Sequence, residues 1–203
     1  MQIAAPVRAI RDGRTIRAER THQAVVSALL SLLDAGELNP TAERVAERAG
    51  VSERSIFQHF GDREALFEAA ALAQYERIMP TLRPVDIALP LEERLDAFVA
   101  QRARLLERVT GVRRAALLLE HESETIAGWL NTARRAKARE VETVFAEELA
   151  ALPDSSRATV RAGLVAASAW PAWESYRIHQ RLGFDRSRTA MRTSLAALLR
   201  PQG

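Results

Sequence analysis

Apolar residues recur every three or four positions through most of the chain, the spacing that places side chains on one face of an α-helix. The clearest stripe lies between Arg17 and Ala35 and consists of Val25, Val26, Leu29, Leu30, Leu32 and Leu33. Gly36 follows this stripe, at the position where a left-handed cap ends a helix. No segment sustains the alternation of apolar and polar residues that indicates a strand. The pattern predicts an all-α protein of about nine helices.

Capping residues divide residues 41–66 into short helices. Thr41, Ser52 and Asp62 each precede a helical run and can accept hydrogen bonds from the free N–H groups of its first turn. Gly50 lies between the first two runs, where the chain must reverse. Two short helices joined by a glycine turn are typical of the helix-turn-helix motif, which presents its second helix to the major groove of DNA.

Prolines interrupt the pattern after a fourth predicted helix, which runs from Arg63 to about Met79. Pro80, Pro84 and Pro90 lack the N–H that a helix interior needs, so this stretch is the best internal domain boundary. Beyond it the helical period resumes. Five further helices are predicted there: Leu91–Val109, Val112–Glu120, Ile126–Leu152, Ser155–Leu182 and Ser187–Leu199.

The composition of the 203-residue chain is that of a soluble globular protein, with 47% hydrophobic and 27% charged residues. The absence of cysteine excludes disulfides, cysteine-ligated zinc and a cysteine nucleophile. No segment approaches the roughly 20 uncharged apolar residues of a membrane span, and the N-terminus has no apolar signal core. We therefore expect a cytoplasmic location and no association with membranes.

Positive charge is concentrated at the N-terminus. Residues 1–20 carry a net charge of +3, equal to that of the whole chain, and residues 1–16 are predicted to form a basic, flexible arm. Such an arm either follows the phosphate backbone or enters the minor groove of DNA, or it is a solvated leader that touches nothing. The sequence leaves these alternatives open.

Patterns typical of catalysis or metal binding are weak. His121, Glu122 and Glu124 form a small cluster of potential ligands, but no second histidine lies at metal-ligand spacing. An all-helical enzyme would also need a nucleophile or an acid–base pair, and no such constellation stands out. We expect no enzymatic activity, no metal and no cofactor.

The segment AGVSERSIFQHFGDREALFEAA closely resembles the DNA-binding signature of the TetR family of transcriptional regulators. The resemblance extends from about Arg17 to Ala71. It implies an N-terminal three-helix DNA-binding domain at residues 17–77, with the helix-turn-helix at about 41–60. A helical-bundle domain at residues 84–203 is then expected to bind an effector and to form dimers.

The second helix of the motif is the predicted recognition helix. Ile56 and Phe60 lie on its packing side. Arg54 can contact a guanine edge and Gln58 an adenine edge, although Arg54 and His59 alternatively contact phosphate alone. The residues expected to face the groove, together with the cap that precedes them, are Ser52, Glu53, Arg54, Ser55, Gln58 and His59.

Three further residues complete the predicted DNA-binding set. Phe57 stands where the resemblance implies tyrosine, so a hydroxyl that would donate to a phosphate is missing and only ring packing against the backbone of DNA remains. Arg63 stands where lysine is commoner, and a guanidinium at the first turn of a helix is a good phosphate clamp. Thr41 resembles a family contact and can act as a cap, a phosphate donor, or both.

The resemblance implies a small apolar or aromatic effector. The residues expected to line its cavity are Phe98, Leu117, His121, Trp129, Phe145, Trp170 and Trp173; the alternative is that most of them are only core. A homodimer is predicted through two apolar faces. These faces contain Leu164, Ala167, Trp173, Met191, Leu195 and Leu198, with burial inside one protomer as the alternative.

These expectations combine into one predicted function. The resemblance implies a repressor that binds a palindromic operator in double-stranded DNA as a dimer and is released by a small-molecule effector. The alternative is a helix-turn-helix regulator whose C-terminal domain senses a protein partner or has no ligand.

Overall fold

The regular structure is helical throughout residues 13–200, the part of the chain that the computed structural model describes. This part contains a short 3₁₀ segment, Met79–Thr81, and a π-helical turn, Ser175–His179. The α-helices are α1 Gly13–Asp34, α2 Ala42–Ala49, α3 Glu53–Phe60, α4 Arg63–Ile78, α5 Leu91–Leu119, α6 Glu124–Val144, α7 Ala146–Ala150, α8 Asp154–Ala167, α9 Trp170–Glu174 and α10 Phe184–Leu199. The predicted all-α fold is confirmed. Residues 1–12 of the predicted basic arm lie outside the described residues.

Helix α5 differs from the prediction because it is continuous through Gly111, where the sequence had indicated a break. Gly111 is buried in the C-terminal half of this 29-residue helix. A glycine in a helix interior costs only about 1 kcal/mol relative to alanine. Burial of the apolar face on both sides of Gly111 offsets that cost, because tertiary packing supplies most helical stability in proteins.

Two other predicted helices are shorter than expected. The predicted helix Ile126–Leu152 is interrupted at Phe145, whose φ of −115° and ψ of 31° are not helical. The predicted helix Ser155–Leu182 ends at Ala167. Pro171 then lies in the first turn of α9, where its missing N–H removes no helical hydrogen bond. Local breaks of this kind leave the apolar period unchanged, so the period did not reveal them.

The chain divides into two compact units, Met1–Ala73 and Gln74–Gly203, and the division falls within α4. In the first unit α1 packs against α2 and α3, and α2 packs against α3. Its core contains Val25, Leu29, Val45 and Ile56, each at most 2% exposed. The predicted apolar stripe of α1 is thus the centre of this unit.

The second unit is a helical bundle built around α5, which packs against α6, α9 and α10, while α8 packs against α6 and α10. Phe98, Phe145 and Trp173 are fully buried in its core, and the rings of Phe98 and Phe145 meet edge to face at 5.3 Å. A Cβ added to Gly163 of α8 would lie 3.2 Å from a methyl carbon of Leu198 in α10. Glycine therefore permits the close approach of these two helices.

No helix among the described residues is long and apolar enough to cross a membrane.

Candidate nucleic-acid interface

Helix α2 and the turn that follows it have the capping geometry that the sequence predicted. The Thr41 hydroxyl accepts a hydrogen bond from the Arg44 N–H at 3.2 Å. Gly50 ends the helix with φ +69°, a left-handed conformation that costs any other residue more than glycine. The N–H of Val51 then donates to the Ala46 carbonyl at 3.1 Å and closes the turn.

Helix α3 is fixed to its support by one face. The Ser52 hydroxyl accepts a hydrogen bond from the Ser55 N–H at 3.2 Å and caps the helix. Ile56 and Phe60 are 2% and 8% exposed, as the sequence predicted for the packing side. The ring of His22 in α1 stacks on Phe60 at 4.6 Å. These contacts determine which residues of α3 point away from the unit.

The outer face of α3 consists of residues 53, 54, 57 and 58, all of which are exposed, with Ser55 and His59 half-buried beside them. Arg54 and Gln58 are four residues apart and therefore lie on the same side of the helix, one turn from each other. Neither side chain forms a hydrogen bond or an ion pair within residues 13–200. Their donors and acceptors are free for base edges. Phe57 is 48% exposed, so its ring is available for contact with a partner.

Arg63 lies at the start of α4, where the Asp62 carboxylate caps the helix by accepting from the Ala65 N–H at 2.8 Å. The Arg63 guanidinium lies 5.0 Å from the centre of the Phe67 ring and remains exposed. This cation–π contact restrains the side chain without using its N–H donors. Arg63 is therefore positioned near a helix N-terminus, where anions bind favourably.

The structure also shows which neighbouring arginines are already engaged. Arg44 forms ion pairs with Glu47 at 2.6 Å and Glu37 at 3.4 Å, and Arg48 donates to the Ser31 hydroxyl at 2.7 Å. The Arg44–Glu47 pair spans one turn of α2, whereas Glu37 and Ser31 lie in other segments of the chain and could not be paired with arginines from the sequence. Basic residue type alone does not identify a DNA contact.

Arg17 and Arg20 were missed as individual site candidates. Both are exposed on α1, and together with Val51 they line a shallow groove beside the turn that leads into α3. The sequence signal was present in the basic N-terminal region. The sequence did not indicate where α1 lies relative to the turn, so it could not assign these two arginines to the site.

Residues 32–70 match the family model of bacterial regulatory proteins of the tetR family. The chain carries a TetR-family DNA-binding domain. The matched segment contains α2, α3 and their caps, so the exposed face of α3 belongs to the TetR-family domain itself.

The fold of most of the chain is similar to that of a solved regulator. It is similar to the crystal structure of a transcriptional regulator from Rhodococcus sp. Rha1, with a TM-score of 0.67, 18% sequence identity and coverage of 90% of this chain and 95% of that one. At this identity the likeness concerns the fold. Among curated proteins, none matches the sequence. The TetR-family domain is thus followed by a helical bundle of a kind found in a known regulator.

The residues predicted for an effector pocket do not share one environment in the second unit. Phe98, Phe145 and Trp173 are core residues, and the Trp173 indole donates to Glu107 at 2.9 Å. Trp170 donates to the Thr110 hydroxyl at 3.1 Å. Leu117 is half-buried, whereas His121 and Trp129 are exposed. A small cavity of about 100 Å³ lies elsewhere, beside Ile78, Thr81, Leu82, Gln101, Arg104, Leu105 and Arg108.

Most residues predicted for a dimer interface contribute to the core of a single chain. Leu164, Trp173, Met191 and Leu195 are 0% exposed within one protomer. Ala167 and Leu198 are half-buried. An interface that uses α8 and α10 would therefore have to use their exposed neighbours, such as Ala162 and Ala166 on α8 and Ala197 on α10.

The described residues contain no group of three or more His, Asp or Glu side chains that could hold a metal ion. His121, Glu122 and Glu124 are exposed near the start of α6.

Proposed function

We propose that this chain is a transcriptional repressor that binds a palindromic operator as a homodimer and is released by a small-molecule effector. The observation that carries the proposal is the outer face of α3. Arg54 and Gln58 are exposed and unpartnered there, on a helix held from behind by Ile56 and Phe60. Within a TetR-family domain, such a face is suited to the major groove.

Each residue has a proposed role in binding DNA. Arg54 donates to the O6 and N7 acceptors of a guanine, and Gln58 pairs with an adenine edge. Glu53, Ser55 and His59 contact neighbouring bases or phosphates, while Thr41, Ser52 and Arg63 contact phosphate. Phe57 packs its exposed ring against the sugar–phosphate backbone.

The homodimer follows from the geometry of the operator. One α3 helix reads only a few base pairs, so specific affinity requires a second copy at the next half-site, about 34–36 Å away. A symmetric dimer gives a palindromic operator. The helical bundle of residues 74–203 offers the additional surface that such a dimer needs.

Release by an effector requires a ligand that binds one arrangement of the dimer better than another. Helix α4 contains residues of both units and so joins them covalently. A ligand-dependent movement of α4 would change the separation of the two α3 helices. The proposal describes a regulator without catalytic activity that acts where bacterial DNA lies, in the cytoplasm.

The proposed function is tested by selecting operators from random double-stranded DNA with the full-length protein. We expect an enriched palindrome with two short half-sites. The double variant Arg54→Ala/Gln58→Ala is the control, and it should lose the enriched sequence while keeping weak, salt-sensitive binding. If the wild-type protein binds DNA with no sequence preference, it is not an operator-specific repressor.

A further inference from the structure

Four basic side chains lie together in the second unit, where α5 packs against α6. Arg102 and Arg113 are eleven residues apart on α5, which is about three helical turns, so they lie on the same face. Arg134 and Lys137 lie one turn apart on α6. Two ion pairs join the helices on either side of Arg113 and Lys137, one between Arg102 and Glu140 and the other between Arg134 and Glu120. Arg102, Arg113 and Arg134 all act electrostatically on Lys137. We call these residues the α5–α6 cation cluster.

Carboxylates form ion pairs with only two of the four cations, although Glu120 also acts electrostatically on Arg113. Arg102 forms an ion pair with Glu140 at 2.5 Å. Arg134 binds both oxygens of Glu120, at 2.5 and 2.9 Å. Neither Arg113 nor Lys137 forms an ion pair or a hydrogen bond with any described residue. The cluster therefore keeps two positive charges without a direct partner.

These two charges are not free surface charges. Arg113 and Lys137 are both half-buried, and the Nε atom of Arg113 is shielded from solvent with no hydrogen-bond partner. Burial, followed by repulsion from Arg102, Arg113 and Arg134, lowers the pKa of Lys137 to about 8. No carboxylate offsets these effects at Lys137. Buried polar atoms in native proteins almost always have a partner, so the shielded Arg113 Nε beside the half-buried Lys137 ammonium favours an anionic ligand at this position.

The arrangement also restricts what the ligand can be. Four like charges repel a cation, which excludes a metal ion. The half-buried position between two helices is inaccessible to a polyanion as wide as double-stranded DNA. Arg102 is held in place by Glu140 and by the Phe98 ring, whose centre lies 5.0 Å from its guanidinium. Arg113 and Lys137 have no carboxylate at hydrogen-bond distance, so their donors are the ones available to a small anion.

We propose that the α5–α6 cation cluster binds a small dianion, such as a dicarboxylate or a phosphate ester, through Arg113 and Lys137. The claim that this anion is the effector rests on the proposed function. The claim that the cluster binds an anion does not depend on it. It adds an anionic group to the apolar or aromatic effector that the sequence implied. The guanidinium of Arg113 binds one anionic group by two parallel hydrogen bonds, and Lys137 neutralises the second charge.

The test uses the full-length protein with succinate and with inorganic phosphate as probes, at ionic strength held constant with sodium chloride. Isothermal titration calorimetry and thermal unfolding measure binding, and succinamide is the neutral analogue. We expect saturable binding of succinate, of phosphate, or of both, and none of succinamide. Which of the two probes binds distinguishes a carboxylate ligand from a phosphate ligand. No saturable binding of either anion overturns the site.

Matched variants locate the binding. Lys137→Gln and Arg113→Gln each remove one unpaired charge and should weaken the anion about tenfold or more, because hydrogen bonds to charged groups are among the strong ones. Arg135→Gln is the control, since Arg135 is exposed on α6 and lies outside the cluster. An equal loss in the control and in Lys137→Gln would assign the binding to general surface charge and overturn the proposal.

A separate measurement tests the link to DNA. Fluorescence anisotropy of a labelled operator, with and without saturating anion, reports whether the bound anion lowers DNA affinity. A decrease that Lys137→Gln abolishes supports the anion as effector. Saturable anion binding with unchanged operator affinity would contradict the effector role in the proposed function but leave the anion site intact.

Discussion

At the scale of single residues, the α3 helix separates side chains that support the fold from side chains available to DNA. The helical spacing of apolar residues was sufficient to assign Ile56 and Phe60 to the packing side of α3, because the apolar residues of a surface helix lie on one buried face. The pairing of arginines was not predictable in this way. Arg48 reaches Ser31, which lies 17 residues earlier, and such a contact depends on how two helices cross.

Substitution of Arg54 and of Arg63 should affect DNA binding in different ways. Arg54→Ala removes a proposed base contact, so it should cost about 1–3 kcal/mol at the affected base pair and relax specificity there. Arg63→Ala removes a proposed phosphate contact, so it should weaken all sequences alike and reduce the salt slope by about 1. Anisotropy titrations of the operator and of a scrambled duplex at several salt concentrations distinguish the two roles. Unchanged specificity in Arg54→Ala would leave Arg54 with a phosphate contact only.

Lys137 gives a second prediction at this scale, because it is the only lysine in the chain. Its pKa is lowered by burial and by Arg102, Arg113 and Arg134 from 10.5 to about 8. Since the unfolded chain holds the proton more tightly, this charge destabilises the folded state fully below about pH 8, and the cost disappears as the pH rises towards 10.5. Lys137→Gln should therefore be more stable than wild type at pH 7, by about 1 kcal/mol after allowance for partial exposure.

The stability advantage of Lys137→Gln should shrink between pH 8 and 10.5, which thermal unfolding at a series of pH values can follow. Selective labelling of the single lysine allows its titration to be observed directly by NMR. A midpoint near 10.5 would show that Lys137 is solvated like a free side chain, and it would remove the energetic argument for an unpaired buried charge.

At the scale of elements, the start and end of the short helices could be predicted because they depend on local chemistry. Thr41, Ser52 and Asp62 all cap as expected, and Gly50 adopts the left-handed conformation of the turn. The long helices of the second unit were less predictable. Gly111 does not break α5, since packing on both sides outweighs its low propensity.

The element-scale prediction concerns the turn between α2 and α3. Gly50→Ala forces an L-residue to φ +69° and should destabilise the protein by about 1–2 kcal/mol, although no atom lies within 4 Å of the added Cβ. Gly128→Ala is the matched control, because Gly128 is exposed in the interior of α6 and also has open space around its Cβ position. That change should stabilise by about 0.5–1 kcal/mol. Denaturant unfolding of both variants measures the contrast, and equal effects would show that φ at Gly50 is not strained for alanine.

In the whole molecule, the apolar faces of α8 and α10 can be buried either in the core of one chain or in an interface between two chains. The sequence showed that these faces exist but not which surface each would cover. Leu164, Met191 and Leu195 fill the core of one protomer. Burial inside a chain and burial between chains give the same sequence pattern, since both remove apolar side chains from water. The surface of these helices includes the exposed alanines Ala162, Ala166 and Ala197, and small side chains allow a second helix to approach closely.

The proposed dimer is therefore best tested at an exposed alanine. Ala166 is exposed on α8, two residues from buried Leu164, and an arginine there should fold normally but separate two copies that pack through this face. We expect light scattering to give twice the mass of one chain for the wild type and the mass of one chain for Ala166→Arg. Ala136→Arg, at an exposed position of α6, is the control and should remain dimeric.

The affinity for operator DNA provides a second test of the proposed dimer. A dimer with fixed separation of its α3 helices requires both half-sites on one face of the duplex. Inserting five base pairs, about half a helical turn, between the half-sites should therefore reduce the affinity of the wild type to that for a single half-site. Ala166→Arg should bind the original and the expanded operator equally well, because each monomer recognises one half-site independently. A wild type that is monomeric at micromolar concentration and indifferent to the insertion would mean that this regulator reads DNA as a monomer.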